Sequence, residues 1–310
     1  MPASSIDSRI YSRNSRWYNK YRTFIHRSAD KIRLTNHPIV TQLMAETLAT
    51  AVLIFYGDGA VAQKFFLNSR FLEISAGWGA AVAIAIKVGG NKASPAILNP
   101  AVAVANSVLG SLRWSLLIPY IIVEVLGAFI GAALLLGVYN TKVIEYTNDF
   151  DGGNFLVNST GGIFVAGKNS NLGTAVVDQI LTTAILMIGI LAVTDYKLVR
   201  KPDLFNPVFV GMVVFLAVGT YTANASSALN PARDLGPRIL LLATHWGTSA
   251  FTIDNYYFWV PALMPIVGAV LGAIIYEAVV GIHLPDAGEQ GEDEKDDESE
   301  LDEKLSLESI

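Results

Sequence analysis

The sequence predicts an all-α membrane protein, with six transmembrane helices and two half-helices arranged as an inverted repeat. Three observations lead there. Of 310 residues, 52% are hydrophobic and only 16% are charged, a balance that suits a multi-span membrane protein rather than a soluble domain. Six stretches reach or approach the ~20 apolar residues that cross ~30 Å of hydrocarbon as helix. Finally, Asn-Pro-Ala occurs twice, in "LNPAVAVANS" from Leu98 and in "LNPARDLGPR" from Leu229.

The chain divides by charge. Residues 1–37 form a basic arm. Its first 33 residues hold eight Lys/Arg and two acids, without the apolar run of a cleavable signal peptide. Residues 38–285 form the membrane domain. Residues 286–310 hold twelve acids and two lysines, a net of −10 against −5 for the whole chain. Such a tail reads as a solvated, disordered segment.

The expected spans cover 39–61, 72–90, 115–138, 174–194, 206–223 and 256–281. Lys87 lies close enough to the end of the second span to snorkel. Two apolar pieces, 100–110 and 231–243, are too short to cross: at ~1.5 Å per residue each reaches about half the bilayer. The stretch 139–173 is Gly/Asn-rich and reads as a long loop, with a glycosylation sequon at Asn158. The aromatic run "YYFW" at 256–259 reads as an interfacial belt.

The halves resemble each other. "AETLATAVLI" (45–54) opens the first and "VDQILTTAIL" (177–186) the second, and each leads to a half-span begun by Asn-Pro-Ala. Three spans per half force the second copy to insert upside down, which is an inverted repeat with its axis in the membrane plane. The acids Glu46 and Asp178 occupy matching positions. They are expected to accept hydrogen bonds from the half-helix loops; a proton relay is the alternative for intramembrane acids. The Lys/Arg bias puts the N-terminus, Lys92, Arg113 and "DYKLVRK" (195–201) on one side, expected to be cytoplasmic. Both termini then share that side.

Asn99-Pro100-Ala101 and Asn230-Pro231-Ala232 read as helix starts. Proline suits the first helical position, where its missing N–H costs nothing, and asparagine is a good N-cap. Half-helices entering from opposite faces bring their N-termini together near the midplane. Irregular backbone is tolerated at that depth where it is buried in protein or lines a polar cavity. Two helix N-termini concentrate partial positive charge there. A neutral solute with oxygen lone pairs is accommodated, while a cation meets repulsion and no substitute for its hydration shell. Arg233, directly after the second motif, is costly inside an apolar segment and so marks a functional position.

Other chemistries find little support. The chain has no cysteine, which excludes disulfides and thiolate sites. The four histidines (His26, His37, His245, His283) lack metal-ligand spacing. No nucleophile–base set is apparent. Neither catalysis, a cofactor, a metal nor a nucleic-acid partner is expected. A coupled transporter shares inverted repeats and broken helices, but the two motifs carry asparagines at the midplane and no carboxylate.

With these motifs in view, the chain resembles the major intrinsic proteins, the aquaporin and aquaglyceroporin family, over residues 38–285. "LEISAGWGAAVAIAI" (72–86), "TAILMIGILAVTD" (183–195) and "VPALMPIVGA" (260–269) are similar to the glycerol-facilitator branch. The resemblance implies the aquaporin-like fold, one pore per subunit and a homotetramer in a lipid bilayer, with a plasma-membrane setting expected. It implies a filter of Trp78, Val218, Ser227 and Arg233. At the Val218 and Ser227 positions the facilitator has glycine and phenylalanine, so this chain departs from it. Asp234, which joins Glu46 and Asp178 as an expected loop support, matches the glycerol branch, as do Arg238 and Pro261, whereas Ala262 deviates. Ile97 stands where many members have histidine, which leaves the carbonyls of Pro95 and Ala96 as lumen acceptors. The implied function is a passive channel for glycerol, other small uncharged polyols and water that excludes protons and ions. The alternative is a water and hydrogen peroxide channel with little glycerol flux.

Overall fold

The computed structural model describes residues 36–90, 94–195 and 205–284, with Lys20, Thr23, Phe24 and Leu34. The basic arm lies almost wholly outside the described residues. The acidic tail, Lys92 and the basic residues Lys197, Arg200 and Lys201 lie entirely outside them. The chain forms two compact units, residues 1–41 and residues 42–310. In the first, the Thr41 hydroxyl donates to the carbonyls of Leu34 and His37 at 3.2 Å each.

The elements are α1 (Pro38–Leu67), α2 (Phe71–Gly89), α3 (Pro100–Val108), α4 (Trp114–Phe150), α5 (Leu172–Thr194), α6 (Asn206–Ala225), α7 (Pro231–Ala243), α8 (Ser249–Tyr256) and α9 (Trp259–Val279). No strand occurs among the described residues. Among the described residues six helices are long and apolar enough to cross a membrane: α1, α2, α4, α5, α6 and α9 with its extension to His283. The short helices α3 and α7 lie between the second and third and between the fifth and sixth of these spans, one in each half.

Small residues set the helix crossings. A Cβ on Gly127 or Gly131 of α4 would collide with the α1 carbonyls of Thr47 and Ala51. In the second half, a Cβ on Gly268 or Gly272 of α9 would collide with the α5 carbonyls of Ile180 and Ala184. Both pairs are spaced as G-x-x-x-G, which lets helix backbones approach where lipid supplies no hydrophobic drive for association. Between the halves, α2 meets α6 at Gly79 and Gly211, where a Cβ on Gly79 would lie 2.7 Å from the Gly211 carbonyl. The crossing of first and third span thus recurs in both halves, α1 with α4 and α5 with α9. Apolar side chains such as Leu48, Ile122, Leu181, Phe209 and Ile274 stay exposed on the outside, as lipid-facing residues must.

Two expectations change. The stretch from 139 is not loop: α4 runs on to Phe150, twelve residues beyond the expected end at 138. It does so because α1 also extends, to Leu67. The prolonged ends hold each other through the Gln63–Tyr139 hydrogen bond at 2.9 Å and the Phe65–Tyr146 ring contact. Polar side chains face outward there, while Val143 and Thr147 are buried. Tyr257 of the expected aromatic belt is likewise buried, packed with Ala175, Ala225 and Val260.

Candidate pore

The two Asn-Pro-Ala segments build the centre of the molecule. Asn99 caps α3 through a 2.9 Å bond from the Ala101 N–H. Asn230 caps α7 by accepting from the N–H groups of Ala232, at 2.9 Å, and Arg233, at 3.3 Å. Each side-chain oxygen thereby satisfies donors that a helix start leaves open. The amide nitrogens cross over. Asn99 Nδ2 donates to the Leu229 carbonyl at 3.0 Å, and Asn230 Nδ2 donates to the Leu98 carbonyl at 2.7 Å. Each asparagine therefore holds its own helix with one end and the opposite loop with the other.

The loops before the half-helices take unusual backbone to reach this arrangement. Ala96 and Leu98 have φ of 53° and 60°, and Ser226, Ser227 and Leu229 have 56°, 41° and 57°. Left-handed conformation at non-glycine residues persists only where the surroundings impose it. Here buried side chains do so. In the first half Glu46 accepts from the Leu98 N–H and from the Ser94 hydroxyl, and Glu124 accepts from the Asn99 N–H at 3.1 Å. In the second half Gln179 accepts from the Leu229 N–H at 3.2 Å and donates to the Ala225 carbonyl at 3.4 Å.

One cavity of about 730 Å³ runs past both asparagines. Toward one mouth it is lined by Asn106, Asp195, Asn206 and Glu277; its walls also include Pro95, Ala96, Ile97, Trp78, Val218, Ser227 and Arg233. Trp78, Val218, Ser227 and Arg233 come from α2, α6, the loop before α7 and α7 itself, and all four are buried. The Arg233 guanidinium lies over the Trp78 ring, 4.9 Å from its centroid, close enough for cation–π attraction. Its Nη1 donates to the Phe164 carbonyl at 2.9 Å. The Ser227 hydroxyl is paired with that of Thr222 at 2.9 Å, so one of its bonds is committed to the wall.

The α4–α5 loop is tied down beside Arg233. Asp234 accepts from the Ala166 N–H at 2.7 Å and forms an ion pair with Arg238 at 2.5 Å. Arg238 also donates to the carbonyls of Ala166 and Ala250. This fully paired, buried cluster fixes the Phe164 carbonyl against the guanidinium. Trp246 packs edge-on against Phe164 at 5.9 Å and closes the outside of the loop.

The predicted site residues thus fall into groups. Asn99, Pro100, Ala101, Asn230, Pro231 and Ala232 meet at the crossed helix starts; the filter four and Pro95 and Ala96 line one cavity; Glu46 and Asp234 bond loop backbone. Asp178 does not. It accepts from the Asn224 side chain at 3.0 Å and from Gln179 at 3.3 Å, because one residue is ~100° of helix turn and Gln179 is the one that faces the loop. Sequence reasoning passed over Asp58 and Glu124. Both are acids inside apolar spans, which is itself a signal. Phe164 carried none, since its contribution is a backbone carbonyl. No group of three metal-ligating side chains occurs among the described residues.

A family profile described as "Major intrinsic protein" matches residues 33–276. Human Aquaporin-9 is 35% identical over 256 residues, covering 80% of this chain and 85% of its own. Human Aquaporin-10 is 37% identical over 264 residues, covering 82% and 86%. Among solved structures, the aquaglyceroporin from Plasmodium falciparum superposes with a TM-score of 0.69 at 31% identity, covering 78% of this chain and 97% of that one. Six spans among the described residues, two opposed half-helices and a cavity running past both asparagines agree with these matches: the chain belongs to the major intrinsic protein family of passive membrane channels and is not an enzyme.

Proposed function

We propose that this protein conducts glycerol, other small uncharged polyols and water, and excludes protons and ions. The observation that carries the proposal is the wall of the cavity beyond the asparagines. Trp78 offers an apolar face to the carbon backbone of a polyol. Arg233, pinned on one side by Phe164, keeps further N–H groups for hydroxyl oxygens. Ser227 in place of a larger aromatic widens the passage. Cations are opposed by the Arg233 charge and by the positive ends of α3 and α7. The similarity to an aquaglyceroporin structure supports the polyol assignment over a water and hydrogen peroxide channel.

We further propose that the protein assembles as a homotetramer in the plasma membrane with both termini cytoplasmic, as the family resemblance and the Lys/Arg bias suggest. The main test is stopped-flow swelling of proteoliposomes. Wild type is expected to pass glycerol and water above the rate of empty liposomes and to leave a proton gradient standing. Water flux with glycerol at the background rate would sink the polyol assignment. Arg233→Val is expected to slow glycerol or admit protons; a variant equal to wild type in both would remove Arg233 from the filter.

A further inference from the structure

Asp58 lies within α1, fully buried, and neither of its oxygens accepts a hydrogen bond among the described residues. That sets it apart from the other buried carboxylates of the centre. Glu46, Glu124 and Asp234 each take a backbone N–H of a loop or half-helix start. Asp58 supports no loop. Its ion-pair partner among the described residues is Arg233, with Nη2 at 3.6 Å from Oδ1, and the Asp234 carboxylate lies near enough to act on it as well. A buried carboxylate with so little hydrogen bonding is a liability unless its charge is used.

The neighbouring residue explains how the contact arises. A Cβ on Gly57 would collide with the Trp78 ring, so this glycine admits the indole against α1. The guanidinium rests on that ring. Gly57 and Asp58 together form a seat: one residue makes room for the aromatic floor and the next supplies the opposite charge behind it. Phe164 holds Nη1 at the third corner. Resting on our assignment of the filter, we propose that Asp58 is a specificity-determining residue, the buried counter-ion that holds the Arg233 guanidinium against the pore wall and so keeps the passage wide enough for polyols.

The reason is geometric. With Asp58 replaced by a neutral side chain, Nη2 loses the ion-pair partner it has among the described residues. The nearest alternative partners are solvent and solute in the cavity. A guanidinium leaning into the lumen narrows the passage for a carbon backbone before it obstructs a water molecule. It also displaces the donors from the path that successive hydroxyls follow along Trp78.

The test measures glycerol and water flux in proteoliposomes for wild type, Asp58→Asn, Asp58→Glu, Arg233→Val and the Asp58→Asn/Arg233→Val double variant. Asp58→Asn is expected to lower the glycerol-to-water ratio roughly fivefold, the scale of one weakened charge-assisted contact. Asp58→Glu, which keeps the charge, should stay within about twofold of wild type for the same reason. In the Arg233→Val background, Asp58→Asn should leave the ratio unchanged, because a residue that acts through a partner has no effect once the partner is gone. The proposal is overturned if Asp58→Asn leaves the ratio intact, if Asn and Glu lower it equally, or if the effect persists in full without Arg233. Should Asp58→Asn fail to reconstitute, an experimental map of the wild-type channel decides: a guanidinium turned away from Asp58 overturns the proposal, and one paired with it supports it. If Arg233→Val itself leaves the ratio unchanged, the filter assignment falls and this proposal with it. A changed Arg233→Val beside a silent Asp58→Asn removes only the role of Asp58.

Discussion

At the scale of single residues, the centre of the channel depends on what glycine permits as much as on what charged groups supply. Gly57 has no side chain where one would enter the Trp78 ring. We predict that Gly57→Ala displaces the indole toward the lumen. Overpacking of this kind typically costs about 1–3 kcal/mol, so the thermal midpoint in detergent should fall, and glycerol flux should fall more than water flux. An unchanged flux ratio would show that the ring repacks without reaching the pore. Much of this site was legible in the sequence. Asn99 and Asn230 stood out because proline follows each, and Arg233 because it interrupts an apolar helix. Gln179 was not legible: a neutral amide in an apolar span carries no signal, and hydropathy does not say whether it or Asp178 faces the loop. The Phe164 carbonyl was hidden for a different reason, because any residue type presents one.

At the scale of helices, the spans were readable from length and hydropathy, yet two ends were misjudged. Polarity past residue 138 suggests a loop, but a helix can continue through polar residues if another helix covers one face, as α1 does for α4. The crossings were also latent in the chain as G-x-x-x-G at 127–131 and 268–272, although the partner helix of each could not be read from spacing alone. The repeat makes a paired prediction. Gly131→Val and Gly272→Val would each drive methyl groups into a carbonyl of the neighbouring helix, at Ala51 and Ala184. Backbone cannot move aside as a flexible side chain does. Each variant should therefore lose about 1–3 kcal/mol, and thermal unfolding should show losses of similar size in both. A loss confined to one would show that the halves do not share the load at these crossings.

At the scale of the whole molecule, the duplication and its inversion were the most legible feature, since an odd number of spans per half allows no other insertion. Topology follows from it and can be checked. Asn158 is exposed in the α4–α5 loop, which should lie on the side opposite both tails. We predict that expression in a glycosylating eukaryotic host adds a glycan that Asn158→Gln removes, read as a gel shift, while protease applied to intact cells spares the tails. Tails cleaved from outside would reverse the proposed orientation.

The crossed asparagine bonds also bear on how such a chain is made. Synthesis delivers the first half before the second. Until residues 229 and 230 arrive, the Asn99 amide and the Leu98 carbonyl lack the partners they have in the finished protein. Buried polar groups left unpaired are costly, so the first half-helix is best satisfied only when the last one docks. The crossed bonds thus form a mutual clasp that neither half can close alone, and that closes only once the second half-helix has been made.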